Sequence, residues 1–296
     1  MNFTKQYTEF LRSFLKITAP VRIVVDSSDG TTGPIIGDLL EKERLIEYHL
    51  INGSPNGDFP GHGPDFLAKG AMDTLRREVL TRGADLGIVF DGDGDRVMFL
   101  DGAGEAINPY DVVRCLKDFF DPPYILDVRA LADFTMPGVK VVEEKVGYYH
   151  IRRTMRKMNL SFGAEFSGHY YFRDFFFCDS GILAAVFMLN FVAGLKESSR
   201  SLGEEVKKLS SLRWAPPLDL QIGDGEGALR RVEEFYGKDS SIRISKLDGI
   251  SVVAEDFAFN VRPSNTEDLM RLTMVAKHGK ALDEKLAELK KIIRVV

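Results

Sequence analysis

The stretch ADLGIVFDGDGDR, residues 84–96, decides how this chain is interpreted. Its first half is an apolar run of strand length that ends at Phe90 and predicts a buried β-strand. Its second half places Asp91, Asp93 and Asp95 in one turn, and the two intervening glycines allow the backbone angles of a tightly curled loop. We therefore expect three carboxylates to face one point directly after a strand.

A divalent cation is the partner that this carboxylate cluster predicts. Oxygen ligands at this density suit Mg²⁺, whose remaining octahedral positions take water or a phosphate oxygen. A calcium loop of the EF-hand type is excluded, because it needs glycine at its sixth position and Glu at its twelfth, where this chain has Arg96 and Gly102. A solvated acidic turn is the plain alternative, but three carboxylates held this close repel one another without a cation.

A second alternative is the aspartyl-phosphate chemistry of haloacid dehalogenase-type phosphatases, in which Asp91 would be the nucleophile. That family's loop usually has Thr or Val where this chain has Asp95, and it normally follows the first strand of the fold. Metal binding is therefore the favoured interpretation.

Strand-like and helical segments alternate on the amino-terminal side of the aspartate turn. The run VRIVVD, residues 21–26, is followed by a turn-rich loop and a helical segment, and the same order recurs before the aspartate turn. Such alternation predicts a mostly parallel sheet with helices on both faces.

Two breaks divide the remainder of the chain. The first is Asp121-Pro122-Pro123, and the second lies around residues 214–217, before a terminal helix with one apolar face formed by Leu282, Leu286, Leu289 and Ile293. We expect an α/β protein with two mixed or mostly parallel α/β domains and a C-terminal α+β domain whose sheet is antiparallel. The predicted domains are residues 1–118, 119–212 and 213–296.

Composition excludes several classes of function. The formal net charge of −5, with both signs interleaved, provides no basic stripe for nucleic acid or for an anionic membrane. The two cysteines, Cys115 and Cys178, are not spaced as metal ligands and are too few for a disulfide framework. This cysteine usage favours a protein of the reducing cytoplasm. The longest apolar run, residues 181–194, is too short for a comfortable membrane span and contains Asn190. The oligomeric state stays open.

A second polar motif is GAEFSGHYYFRD, residues 163–174. Glu165, Ser167 and His169 alternate with other residues, so all three could point the same way. A carboxylate that accepts from two sugar hydroxyls, beside a hydroxyl and an imidazole, predicts a hexose clamp that can transfer protons. A solvated strand face is the alternative.

A third motif is VRPSNTED, residues 261–268, between two strand-like runs. It predicts an anion-binding hairpin loop with donors from Arg262, Ser264, Asn265 and Thr266. An ordinary polar turn is equally compatible with these residue types.

Together and in this order, the three motifs resemble those of the α-D-phosphohexomutases, in the bacterial phosphomannomutase/phosphoglucomutase branch. NGDFPGHG, residues 56–63 with the preceding loop, is similar to that family's DG-x-FP-x-H segment, and Lys145-Val146-Gly147 is similar to its TKVG or KTGH substrate loop. Glu144 replaces the usual Thr of that loop. The resemblance covers nearly the whole chain.

The resemblance implies a role for each matched residue. The three aspartates would bind Mg²⁺, and Arg96 would be a cation near the reacting phosphoryl group. Lys145 and His169 would be the general acid and base, and Glu165 and Ser167 would hold neighbouring sugar hydroxyls. The phosphate that does not react would be held by Arg262, Ser264, Asn265 and Thr266.

The implied reaction interconverts hexose 1-phosphate and hexose 6-phosphate, of mannose or glucose, through a bisphosphorylated sugar. The family's phosphoserine lies in a TASHNP-type loop, and no SHN occurs in this sequence, so we expect the phosphoserine domain to be lacking. The phosphoryl donor would then be a separate phosphoserine-bearing domain, or glucose 1,6-bisphosphate or mannose 1,6-bisphosphate as activator. Ser27 or Ser28 is a further candidate nucleophile.

Two other functions stay open at this point. A non-catalytic phosphosugar-binding protein would keep the binding loops without turnover, although a dedicated Mg²⁺ loop argues for chemistry. A Mg²⁺-dependent sugar phosphatase would pass the phosphoryl group to water.

Overall fold

The structure is a computed structural model that describes residues 3–264 and 269–293. Its contacts group the chain into two compact units. Unit 1 comprises Met1–Asp121 and Phe166–Ser210, and unit 2 comprises Pro122–Glu165 and Ser211–Val296. The three predicted domains have other boundaries than these two units, and the division into three domains stays a prediction.

The amino-terminal part of unit 1 contains a four-stranded sheet. Its elements are α1 (Phe3–Phe14), β1 (Val21–Asp26), α2 (Thr32–Leu40), β2 (Ile46–Ile51), α3 (Asp73–Arg82), β3 (Leu86–Phe90), β4 (Val97–Asp101) and α4 (Pro109–Leu116). The strand order is β2-β1-β3-β4. The first three strands are parallel, whereas β4 runs antiparallel to β3 because only the short turn 91–96 connects them, and a parallel crossover needs a longer connection.

The first part of unit 2 contains the three parallel strands of a second sheet. It comprises β5 (Tyr124–Asp127), α5 (Ala132–Thr135), β6 (Val141–Glu144), α6 (Tyr148–Met158) and β7 (Phe162–Ala164). β6 and β7 both pair with β5 in parallel register, as alternating strands and helices predict.

The chain then returns to unit 1 with β8 (Tyr170–Phe172), β9 (Cys178–Asp179), α7 (Gly181–Glu197) and α8 (Leu202–Leu209). Most of α7 is buried, which explains its apolar composition. No single helix of residues 3–264 and 269–293 is long and apolar enough to cross a membrane; α7 and α8 pass that test only as a pair bent by 101°.

The carboxyl-terminal part of unit 2 is an antiparallel sheet covered by helices. It comprises β10 (Arg213–Trp214), β11 (Leu218–Leu220), α9 (Gly225–Tyr236), β12 (Arg243–Ser245), β13 (Ile250–Val253), β14 (Phe257–Pro263), β15 (Met270–Ala276) and α10 (Gly279–Ile293). The order is β10-β15-β14-β13-β12, with β11 also paired to β15.

The terminal helix packs as its apolar periodicity predicts. In α10, Leu289 and Ile293 are fully buried, and Leu282 and Leu286 pack partly buried against the core of this sheet. The predicted fold class, α/β with an antiparallel carboxyl-terminal sheet, is therefore confirmed.

Asn190, the polar residue that interrupts the apolar run of α7, holds the end of α1. Its side-chain oxygen accepts from the Lys16 backbone N–H at 2.7 Å, and its amide donates to the Phe14 carbonyl at 2.8 Å. The bond to Phe14 satisfies a carbonyl of the last helical turn, which has no partner within the helix, and the bond from Lys16 fixes the segment that follows.

We predict that Asn190→Leu lowers the free energy of unfolding by about 1–3 kcal/mol, although leucine is more apolar, because two backbone groups lose their partners. Urea unfolding followed by circular dichroism measures this. The matched control Met188→Leu, at a fully buried position of the same helix, should cost less than about 1.5 kcal/mol because it conserves volume. Unchanged or higher stability of Asn190→Leu would contradict the capping role.

Candidate active site

The three aspartates of the turn after β3 come together in unit 1. One carboxylate oxygen from each of Asp91, Asp93 and Asp95 lies within 4.8 Å of the other two. We call residues 91–96 the aspartate loop. Gly94 has φ +77°, a left-handed angle that glycine adopts without strain. The loop can therefore curl as its sequence predicts.

Asp91 closes the loop with its own side chain. Its Oδ1 accepts the backbone N–H groups of Gly94 at 3.0 Å and of Arg96 at 3.2 Å, and its Oδ2 accepts from Arg96 Nε at 2.7 Å. Arg96 also lies 3.6 Å from an oxygen of Asp65 and over the ring of Phe66 at 5.4 Å. The guanidinium is thus held beside the carboxylates rather than extended into solvent.

The environment moves the pKa values of two aspartates in opposite directions. Burial raises the pKa of Asp91 to about 6, since desolvation outweighs the hydrogen bond and the positive charge of Arg96. The imidazole of His169 lowers the pKa of Asp95, against the opposing effect of burial. A cation at the loop would favour the ionised form of every carboxylate.

His169 and Ser167 lie beside the aspartate loop in unit 1. The Val97 N–H donates to the Gly168 carbonyl at 3.0 Å, which ties the 166–169 segment to the start of β4. Ser167 Oγ is 2.8 Å from His169 Nδ1. The other ring nitrogen, Nε2, lies 3.6 Å from Asp95 Oδ1 and 4.0 Å from Asp179 Oδ2. The structure thus brings two of the three polar residues of this motif to the carboxylates.

Glu165, the third, belongs to unit 2 and is almost fully buried. Its Oε1 accepts from the Gly147 N–H at 2.8 Å, and the neighbouring Val146 N–H donates to Asp248 Oδ2 at 3.0 Å. Two carboxylates therefore hold the turn that follows Lys145, whose side chain is exposed. Lys145 and Glu165 come close within unit 2 through the backbone of this turn.

Arg262, at the end of β14, is a buried cation. It is only 3% exposed, its Nη1 donates to the Pro263 carbonyl at 3.2 Å, and its Nε is buried without a hydrogen-bond partner. Burial lowers the pKa of Arg262, and the nearby charge of Arg129 lowers it further. An anion would satisfy this guanidinium. Ser264 donates its backbone N–H to the Leu269 carbonyl at 2.8 Å.

The remaining two residues of the predicted phosphate loop, Asn265 and Thr266, lie outside the described residues.

Arg129 has a carboxylate partner that sequence reasoning missed. Asp127 ends β5 fully buried, and its two oxygens lie 2.8 and 2.9 Å from Arg129 Nε and Nη2. Asp127 could have been found by the rule that singled out Asp91, because both directly end or follow an apolar strand. Asp248 carries no comparable signal, since its partner is remote in sequence, and the pairing of Asp179 with His169 depends on how β8 and β9 pair.

Ser27 and Ser28, the candidate substitute nucleophiles, are both fully buried. The Ser28 hydroxyl donates to the Phe90 carbonyl at 2.5 Å. A hydroxyl so engaged and shielded is a structural donor, which argues against Ser28 as the nucleophile. The Ser27 hydroxyl is buried without a hydrogen-bond partner, and only its burial argues against that role.

Comparison with known proteins gives matches along most of the chain. The family model "Phosphoglucomutase/phosphomannomutase, alpha/beta/alpha domain II" matches residues 3–104, and the model of domain III of the same family matches residues 131–211. A phosphomannomutase of Escherichia coli is 30% identical over 295 residues, which cover 94% of this chain and 63% of that protein. The chain thus spans less than two thirds of the length of this curated relative.

Solved structures share the fold. A phosphoglucomutase/phosphomannomutase family protein from Burkholderia thailandensis superposes with a TM-score of 0.84 at 23% identity, covering 98% of this chain and 64% of that one. An Aspergillus fumigatus N-acetylphosphoglucosamine mutase in complex with GlcNAc-6P and magnesium has a TM-score of 0.66 at 13% identity, covering 98% and 65%.

We predict that Asp127→Asn destabilises unit 2 by about 3 kcal/mol, because it removes the carboxylate that bonds both Nε and Nη2 of Arg129. The charge of Arg129 then keeps the longer pair with Glu165, at 3.8 Å. Unfolding followed by the fluorescence of Trp214, the single tryptophan and a residue of unit 2, measures the change. Glu284→Gln, which breaks an exposed pair with Lys280, is the control and should cost less than about 1 kcal/mol. Equal effects of both variants would contradict the importance of the buried pair.

Proposed function

Because this chain belongs to the phosphoglucomutase/phosphomannomutase family, we propose that it supplies the metal-binding, sugar-binding and phosphate-binding residues of a hexose phosphate mutase. The observation that carries this proposal is the aspartate loop, in which three carboxylates converge beside Arg96 and His169. A protein that only recognised a phosphosugar would have no need of such a loop.

The donor set of the aspartate loop fits Mg²⁺. Three carboxylates within one turn offer hard oxygen ligands, and the glycines between them let the backbone bring those oxygens within 4.8 Å of one another. Asp91, Asp93 and Asp95 would hold the ion. When bound, Mg²⁺ would offset the charge that develops on the phosphoryl group during transfer.

The other residues of unit 1 would orient groups and move a proton. Arg96 is fixed by Asp91 and can attract an oxygen of the reacting phosphoryl group without reorganising. His169 would give or take a proton at Nε2, since Ser167 engages Nδ1 and thereby orients the ring. Ser167 would also contact a sugar hydroxyl.

The residues of unit 2 would bind the substrate. Arg262 would anchor the phosphate that does not react, together with Ser264, Asn265 and Thr266. Its Nε is buried without a hydrogen-bond partner, which supports the proposal that an anion binds there. Glu165, whose carboxylate is fixed by the Gly147 N–H, would accept hydrogen bonds from hydroxyls of the hexose. Lys145 is exposed and would serve as the second acid or base.

The substrate would be a phosphate of mannose or glucose, and the reaction would interconvert the 1-phosphate and the 6-phosphate through a bisphosphorylated sugar, within the cytoplasm. A structure neighbour, an Aspergillus fumigatus N-acetylphosphoglucosamine mutase variant, was solved with glucose 1,6-bisphosphate. For this chain, that bisphosphate, its mannose counterpart or a separate phosphoserine-bearing domain would supply the phosphoryl group.

Product analysis tests the proposal. The protein is incubated with mannose 1-phosphate or glucose 1-phosphate and Mg²⁺, with and without a catalytic amount of glucose 1,6-bisphosphate, and products are followed by phosphorus NMR. Appearance of the hexose 6-phosphate supports a mutase. Release of inorganic phosphate indicates a phosphatase and overturns the proposal. The absence of any product under all conditions counts against a mutase that works with a bisphosphate donor alone and favours a binding protein.

We predict that Asp93→Asn abolishes this conversion and weakens Mn²⁺ binding at least tenfold, because the metal loses one of three charged ligands. Electron paramagnetic resonance of free Mn²⁺ gives the affinity. Asp73→Asn, at an exposed aspartate on α3, is the control and should match the unmodified protein. Full turnover by Asp93→Asn would refute the metal assignment.

We predict that Arg262→Met raises KM for the hexose phosphate by about 10–100-fold with a smaller change in kcat, since a phosphate remote from the reaction contributes uniform binding. The same variant should unfold at an equal or higher temperature, because it removes a buried charge that no carboxylate among the described residues pairs with. Steady-state kinetics and thermal unfolding measure the two effects. Arg230→Met, at an exposed position of α9, is the control. An unchanged KM would contradict a phosphate role for Arg262.

A further inference from the structure

Two other loops hold the backbone of Gly92, inside the aspartate loop. The Gly92 N–H donates to the Pro64 carbonyl at 3.0 Å, and the Gly92 carbonyl accepts from the Thr31 N–H at 3.0 Å. We call residues 27–31 the serine turn and residues 59–64 the histidine turn. Gly92 lies between Asp91 and Asp93. Its backbone N–H is therefore bonded to the histidine turn and its carbonyl to the serine turn.

The approach of these turns leaves no room for side chains. A Cβ on Gly30, in the serine turn, would lie 2.3 Å from the Gly92 carbonyl oxygen. A Cβ on Gly92 would lie 3.1 Å from Pro64 Cβ and 3.2 Å from Phe59 Cε1, both in the histidine turn. The position of the aspartate loop thus depends on the positions of the serine turn and the histidine turn.

The fully buried carboxylate of Asp26, at the end of β1, connects the two turns. Its Oδ1 accepts from the Ser28 N–H and from Asn52 Nδ2, both at 2.9 Å. Its Oδ2 lies 3.2 Å from His62 Nε2, in the histidine turn. With Asp26 ionised, Nε2 carries the proton of this bond, because a carboxylate only accepts. A second link joins the turns where the Gly61 N–H donates to Asp29 Oδ2 at 2.9 Å.

Both turns contain strained backbone. Ser28, Asp29 and Phe59 have φ values of +50°, +54° and +46°, which side chains rarely adopt. Such angles persist only where the surroundings impose them. The bonds to Asp26 are among the contacts that hold the turns in this conformation.

Asp26, His62 and Ser28 are not arranged as a nucleophile with its base. The distance from Ser28 Oγ to His62 Nε2 is 3.5 Å, and that same nitrogen bonds Asp26, whereas a catalytic triad uses opposite ring nitrogens. The Ser28 hydroxyl instead donates to the Phe90 carbonyl, directly before Asp91. This bond connects the cluster to the residue that precedes the aspartate loop.

We propose that His62 is a positioning residue for the aspartate loop: its bond to Asp26 fixes the histidine turn, and the Pro64 carbonyl of that turn fixes Gly92. His62 makes no contact with the reacting groups in this role. The consequence for metal affinity rests on the proposed function, but the consequence for the backbone of the loop does not.

The test compares three variants. His62→Leu removes the donor, His62→Gln keeps an N–H at about the reach of Nε2, and His49→Gln changes an exposed histidine of β2. Hydrogen exchange is measured in EDTA for a peptide that contains Gly92 and for a peptide of β14 in unit 2. We expect at least tenfold faster exchange of the Gly92 peptide in His62→Leu, less than twofold change in His62→Gln and in the control, and an unchanged β14 peptide.

Mn²⁺ affinity, read by electron paramagnetic resonance, is the second measurement. We expect His62→Leu to weaken binding about tenfold, the lower end of the range for residues that orient metal ligands, and His62→Gln to bind as the unmodified protein does. If the unmodified protein binds no Mn²⁺, the metal assignment fails, and the exchange result alone decides on positioning. Three results would each overturn the role of His62. They are unchanged exchange of the Gly92 peptide in His62→Leu, an equal loss of Mn²⁺ affinity in His62→Leu and His62→Gln, and faster exchange of both the Gly92 and the β14 peptide.

Discussion

The side chain of Asp91 closes the aspartate loop, and the rest of the candidate site in unit 1 depends on this closure. One oxygen accepts two backbone N–H groups of the loop, and the other accepts from Arg96. These bonds are made in a buried position, where a carboxylate without partners would cost several kcal/mol. Because the turn is closed in this way, Asp93 and Asp95 converge with Asp91, and the chain re-enters the sheet as β4.

The charged side chains of the two candidate clusters suit ligands of opposite sign. In unit 1, the three aspartates of the loop and Asp179 surround the cationic or titratable groups of Arg96 and His169, so negative charge is in excess. In unit 2, Arg129 pairs with Asp127, while the buried Arg262 lacks a carboxylate partner among the residues that the structure describes. A cation suits the first arrangement and an anion the second.

Polar residues gather where strands of the parallel sheets end. Asp26 ends β1, Asp91 follows β3 and Asp127 ends β5. Parallel strands bring their carboxyl ends to one edge, so residues distant in sequence become neighbours there. In unit 1 this edge joins the serine turn, the histidine turn and the aspartate loop, which explains how a histidine about thirty residues away can support the backbone of that loop.

The sequence by itself determined the elements and the chemistry of individual loops. Apolar runs of strand length and helical periodicity indicated β1, β3, α7 and the buried face of α10, because these patterns follow from local geometry and burial. The aspartate loop was likewise readable, since its ligands lie within five residues of one another.

Only the tertiary structure decided which remote residues support those loops. The contacts of Asp248 with the turn after Lys145 and of Asp26 with His62 join segments far apart in sequence. Asp179 comes beside His169 through the pairing of β8 with β9. Each carboxylate lies beside backbone or ring N–H groups, and its partner is set by strand order and loop position rather than by the residues next to it in sequence. No local pattern encodes such a choice, because the cost of a buried charge without a partner is set by whatever the completed fold places next to it.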